Sequence, residues 1–147
     1  MDACVELLEN VHAADGYPMR WPADPARWLS PERMRTAWVA EEGGGAGAVG
    51  HVVVVDDEEP AETAELSRLF VSPAMRGRGV GSLLIDAVVA DATERGRRLW
   101  LHVIEGRGAA ARLYESYGWR LVDRSQANWL TPAGEHPVLL RYELDPT

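Results

Sequence analysis

The stretch that most narrows the fold runs from Glu65 to Ala92. A strand-like run, Glu65 to Val71, leads into Arg76-Gly77-Arg78-Gly79-Val80-Gly81, and an apolar helix-like run follows from Val80 to Ala92. Strand, glycine turn and helix in that order gather several backbone N–H groups at a helix start, where the macrodipole is positive. Two arginines add positive potential, so the turn has the makings of a pyrophosphate cradle. A tight exposed turn would use the same glycines. No Lys-Ser/Thr pair follows the last glycine, which excludes a P-loop, and Ser82 stands where the dinucleotide fingerprint needs its final glycine.

At 147 residues the chain is read as one domain, residues 1–147, long enough for a real core. Its one cysteine, Cys4, excludes an internal disulfide and falls in a helical pattern with Val5, Leu8 and Val11, so a buried thiol is expected. No signal-peptide pattern or long apolar run is read, and a soluble, cytoplasmic protein with no membrane partner is the expectation. All fifteen basic residues are arginine. Leu66 to Arg112 carries eight arginines against four acids (Asp86, Asp91, Glu94, Glu105), a local +4 within a chain of net charge −8. That asymmetry suits a polyanionic cofactor on one side and a cationic amine on the other. The overall negative charge argues against nucleic-acid binding.

Periodicity predicts a helix over Ala3 to Ala13, a turn-rich segment from Gly16 to Pro31, and a short helix from Pro31 to Met34. Thr36 to Glu41 and Gly47 to Asp56 read as a hairpin around Gly43-Gly44-Gly45. After the cradle the helix stops at Gly96, a residue suited to a left-handed cap. Strand Leu99 to Ile104, helix Ala109 to Tyr117, strand Trp119 to Asp123 and strand Val138 to Leu144 complete the chain.

Arg76, Gly79 and Gly81 match the acyl-CoA signature Gln/Arg-x-x-Gly-x-Gly/Ala, and the chain resembles the GNAT superfamily of N-acetyltransferases. Ala64 to Pro73 is similar to the family's central strand. Leu101-His102-Val103-Ile104-Glu105-Gly106, Ala110, Leu113-Tyr114-Glu115 and Gly118-Trp119 are similar to its second block. The resemblance covers about Ala64 to Val122. It implies an α/β (α+β) fold with a mixed, mostly antiparallel central sheet flanked by helices. The strand with which family members usually begin is missing before the first helix, and a homodimer covering the open sheet edge is expected.

The resemblance also implies acetyl-CoA as co-substrate, no metal, and transfer of an acetyl group to a primary amine of a small molecule, peptide or protein by direct attack in a ternary complex. Arg76, Gly77, Arg78, Gly79, Val80, Gly81 and Ser82 would hold the pyrophosphate. Leu69, Phe70 and Val71 would lie along the pantetheine arm, with Ala110 beside the cofactor. Arg107 stands where the family commonly has an asparagine, and its guanidinium would reach a phosphate instead. Tyr114 matches the family tyrosine that protonates the departing thiolate, although its spacing with Ala110, Leu113 and Tyr117 also fits a structural phenol. Glu65 lies at the same distance from the glycine loop as the glutamate of histone-acetylating members and is the candidate base, with His102 the other. Tyr17, Trp21, Trp28 and Trp129 would flank the acceptor.

Two rival readings stand beside this one. Gly106-Arg107-Gly108-Ala109-Ala110-Ala111 fits G-x-G-x-x-A between a strand and a helix, the mark of a dinucleotide-binding domain. A catalytically silent module that binds acyl-CoA or a protein partner would preserve the cradle without the chemistry.

Overall fold

The computed structural model describes residues 2–43, 47–58, 62–106 and 108–145. Its elements are α1 (Asp2–Asp15), α2 (Pro25–Trp28), β1 (Met34–Glu41), β2 (Ala48–Asp56), β3 (Thr63–Val71), a 3-10 turn (Pro73–Met75), α3 (Val80–Arg95), β4 (Arg98–Ile104), α4 (Gly108–Ser116), β5 (Arg120–Gln126) and β6 (Val138–Leu144). The strands form one six-stranded sheet in the order β1-β2-β3-β4-β6-β5. Every neighbouring pair is antiparallel except β3 with β4, which run parallel through Thr63↔Arg98, Ala64↔Leu99 and Glu65↔Trp100.

Alternation along the strands creates two apolar faces. On one, α3 buries Val80, Leu84, Ile85 and Val88 against Val52, Val54, Leu66, Leu99 and Leu101, with Tyr114, Trp119 and Tyr142 closing the cluster. On the other, α1 packs Cys4, Leu7, Leu8 and Val11 against Leu29 and Phe70. The predicted buried thiol is found in this second cluster. The approach of α3 to β2 is close at Gly50, where an ideal Cβ would lie 2.7 Å from Val80 Cγ1 and 2.9 Å from Leu84 Cδ1.

Several expectations need correction. The short helix is not at Pro31 to Met34 but at Pro25–Trp28, because Asp24 caps it by accepting from the Arg27 N–H at 3.1 Å and Pro25 occupies its first turn. Met34 already belongs to β1. The first helix continues to Asp15, where Gly16 (φ 72°) closes it by donating to His12 O at 2.8 Å. Trp119 does not open a strand; it is a core residue, and β5 begins at Arg120 and reaches Gln126. The dinucleotide-binding alternative fails on topology, since β5 pairs antiparallel with β6 and never lies parallel beside β4, so no βαβ unit exists there. The hairpin tip at Gly44-Gly45 lies outside the described residues. Among the described residues no strand precedes α1, and β1 forms one edge of the sheet. No described helix is long and apolar enough to cross a membrane.

Candidate active site

The site begins with a fault in β3. The register against β2 passes from Val53↔Ser67 to His51↔Phe70, which inserts an extra residue on β3, and Arg68 adopts φ 50°. Long-range contacts hold that conformation. His51 Nδ1 donates to Arg68 O at 2.9 Å, while Arg68 Nε donates to Trp28 O at 2.7 Å and its guanidinium lies 4.6 Å from the Trp28 ring. The bulge restores Phe70 to the α1 face while Leu69 and Val71 pack towards α3. The parallel ladder to β4 ends at Glu65↔Trp100, so the two strands part beyond it and leave an opening lined by the bulged end of β3.

At the wide end of this opening lies the cradle. Gly77 (φ 78°) and Gly79 (φ 81°, ψ 12°) are left-handed, a conformation that favours glycine, and Gly79 begins α3 with no side-chain cap on the helix N–H groups. An ideal Cβ on Gly81 would lie 3.8 Å from both Val71 Cγ2 and Leu113 Cδ2, so β3, α3 and α4 converge there. Arg78 is exposed and Ser82 half-buried, whereas Val80 turns into the core. Arg76 turns sideways to pair with Asp15 at the end of α1 and donates to Val71 O at 3.4 Å. Ala110 packs against the α3 cluster. Arg107 lies outside the described residues.

At the candidate site Glu65 and Tyr114 are strongly perturbed. Burial, reinforced by the charge of Asp57 and opposed by Arg68 and Arg141, pushes Glu65 up to about 7. Burial and then the nearby Tyr17 phenol push Tyr114 far above the ordinary tyrosine value. Its ring meets Trp119 edge-on, with centroids 5.5 Å apart. His102 is exposed, and partial desolvation and then the Arg141 charge lower its pKa.

The acetyltransferase (GNAT) family profile matches residues 3–119. The chain belongs to the GNAT acetyltransferase family. An uncharacterized N-acetyltransferase of Methanocaldococcus jannaschii is 35% identical over 97 residues, which is 61% of this GNAT chain and 42% of that relative. The chain thus spans less than half the length of that curated relative. The ribosomal-protein-S18-alanine N-acetyltransferase of Escherichia coli superposes with a TM-score of 0.78 at 21% identity, covering 99% of this chain and 87% of that one. NAA60 of Arabidopsis thaliana, solved with a bisubstrate analogue, gives 0.76 at 21% identity over 97% and 92% of the two chains. A Salmonella typhimurium putative acetyltransferase solved with acetyl-CoA gives 0.74 at 20% identity over 99% and 90%. At such identities the structural likeness speaks for the GNAT fold.

The residues present fit the GNAT co-substrate: uncapped N–H groups at the start of α3, two glycines in left-handed conformations and a parted β3–β4 pair. Among the described residues no group of three or more His, Cys, Asp or Glu side chains could hold a metal ion.

The aromatic positions divide. Tyr17 sits 6.2 Å from Phe70 and 6.1 Å from Trp28, packed against the α1 cluster. Trp28 is the platform for Arg68. Trp21 lies 5.3 Å from His12 and, like Trp129 and Leu130, is exposed. Arg20 donates to Leu130 O at 3.3 Å, which brings the loops of Trp21 and Trp129 together. Sequence reading missed His51, Arg68, Asp57 and Trp100 as parts of the site. A histidine within the apolar run of β2 and an arginine in a central strand were the local signals.

Proposed function

We propose that this GNAT protein transfers an acetyl group from acetyl-CoA to a primary amine by direct attack in a ternary complex. The observation that carries the reading is the opening between β3 and β4, with the Gly77–Gly79 cradle at its wide end and Glu65 at its closed end. Bound acetyl-CoA supplies the thioester carbonyl that the amine attacks. The α3 N–H groups and the exposed arginine of the cradle hold the pyrophosphate, and the β3 main chain near Leu69 and Val71 takes the pantetheine arm and polarises the carbonyl.

An amine must be neutral to attack. A carboxylate that changes charge near pH 7 accepts that proton directly or through one water, and Glu65 meets this requirement. Tyr114, held protonated by burial, is the proton source for the thiolate. Tyr17, Trp21 and Trp129 border the acceptor entrance, which suits an amine carried on a small molecule, a peptide or a protein.

A thermal-shift titration with acetyl-CoA and NAD in parallel tests the donor. A ligand at about 100 times its Kd adds about 2.7 kcal/mol, which is roughly 5 to 10 °C for a domain of this size. Stabilisation by acetyl-CoA, followed by thiol release with a panel of amines, is the expected outcome. Stabilisation without thiol release for any amine would leave a silent acyl-CoA-binding module.

A further inference from the structure

Asp57 lies just beyond β2, and its Oδ2 accepts two hydrogen bonds, from Thr63 Oγ1 and from Trp100 Nε1, each 2.6 Å long. These two donors bracket Glu65. Thr63 precedes Glu65 by two residues on the same face of β3, and Trp100 is the β4 partner of Glu65 at the last rung before the strands part. The Asp57 N–H also donates to Thr63 O at 3.3 Å, which ties the loop to the strand.

The indole so anchored is restrained on its other sides as well. The Arg141 guanidinium lies 4.3 Å from its ring centre and is itself held by Glu143 at 3.0 Å, while His102 meets it edge-on at 5.1 Å. Trp100 therefore makes a fixed apolar wall at the closed end of the opening. An unanchored indole in a half-buried position would exchange rotamers and admit water to Glu65.

We propose that Asp57 is a positioning residue for acetyl transfer: by holding the Trp100 indole across the closed end of the β3–β4 opening, it fixes a carboxylate and an apolar wall beside Glu65 and so governs proton uptake there. The proposal rests on the reading of Glu65 as the base. The charged groups facing Glu65 act in both senses. Arg68 on its own strand and Arg141 on β6 favour its ionised form, Glu143 offsets Arg141, His102 follows Trp100 on β4, and Asp57 adds a negative charge from the β2 side. Removing that charge, or freeing the wall, makes ionisation easier.

The test is a carbon-13 NMR titration of the full chain labelled at the glutamate carboxyl carbon, with the Glu65 signal identified as the one absent from Glu65→Gln. In Asp57→Asn the Glu65 midpoint is expected to fall by about one pH unit, and in Trp100→Phe, which keeps a ring but drops the donor, by roughly half as much. The acid limb of kcat/KM should move to lower pH by the same amounts, a displacement that loss of stability alone would not produce. Unmoved midpoints in both variants overturn the proposal, and movement in Asp57→Asn alone overturns the part given to the indole. If Asp57→Asn does not fold, Trp100→Phe decides. The reading of Glu65 as base is judged separately, since Glu65→Gln with undiminished acetyl transfer would remove it whatever the titrations show.

Discussion

His51 Nδ1 donates to the carbonyl oxygen of Arg68 at 2.9 Å while its ring stacks on Phe70 at 4.8 Å, and this contact from β2 holds the bulge that opens the sheet beside Glu65. The imidazole is buried, and desolvation lowers its pKa below the ordinary 6.5. A histidine kept neutral in the fold contributes stability that is complete above its unfolded pKa and is lost as pH falls through that value towards the folded one.

Wild-type protein is therefore expected to lose melting temperature between pH 7.5 and 5 more steeply than His51→Asn, which offers an amide donor that does not titrate. Parallel slopes in a pH series of thermal melts would remove His51 as the acid-sensitive group.

Glu65 acts in the opposite direction. Its pKa rises from 4.5 to about 7 on folding, so the ionised form is disfavoured in the native state, and stability falls as pH climbs from 4.5 to 7 and then levels off. Glu65→Gln should raise stability at pH 8, by an amount on the order of 1–3 kcal/mol, while lowering turnover about a hundredfold or more. Chemical denaturation at pH 5 and pH 8 checks it: the gain is expected only at the higher pH.

Gly50 is the point where α3 rests on β2. Gly50→Ala would drive a methyl group to within 3.0 Å of Val80 Cγ1 and Leu84 Cδ1, and Val80, being β-branched, yields little. A loss of about 1–3 kcal/mol is expected, together with a weaker response to acetyl-CoA because the helix start shifts with it. The double variant Gly50→Ala/Val80→Ala should recover part of the melting temperature; a double-mutant cycle with no coupling would show that the two residues do not meet.

Tyr114→Phe keeps the edge-on contact with Trp119 and removes only the hydroxyl. Turnover should fall by roughly ten- to a hundredfold with little change in the acetyl-CoA thermal shift or in the melting temperature without ligand. Unchanged turnover would leave Tyr114 a core residue.

Gly79→Asp tests the cradle. The new side chain brings a like charge to the phosphate position and an unfavoured φ of 81° for a non-glycine residue. The protein should remain folded by circular dichroism and lose stabilisation by acetyl-CoA; a wild-type thermal shift would place the cofactor elsewhere.

The glycine turn and the helix that follows it were legible in the residues because both are local: glycines that need positive φ and an apolar run of helical length lie within one stretch of chain, whereas the parts given to Glu65 and Tyr114 came from the family resemblance. The short helix was misplaced because its start depends on one capping bond that Asp24 accepts from the Arg27 N–H, in a segment where several prolines offer equally plausible starts by residue type alone. Trp119 was read as strand because its ring gives no sign of whether it will lie in a ladder or plug the end of a core.

What the chain determined by itself is the α/β order and the glycine turn that opens α3, since steric limits on φ and the periods of helix and strand act over a few residues. What only the tertiary structure decided is the opening. Arg68 adopts its φ of 50° because His51, 17 residues away in sequence, donates to its carbonyl and the Trp28 carbonyl, 40 residues away, accepts from its guanidinium, and Asp57 reaches Trp100 across 43 residues. Energies that hold a non-glycine residue in a sparsely populated conformation come from such distant partners, and nothing in the neighbouring sequence encodes them.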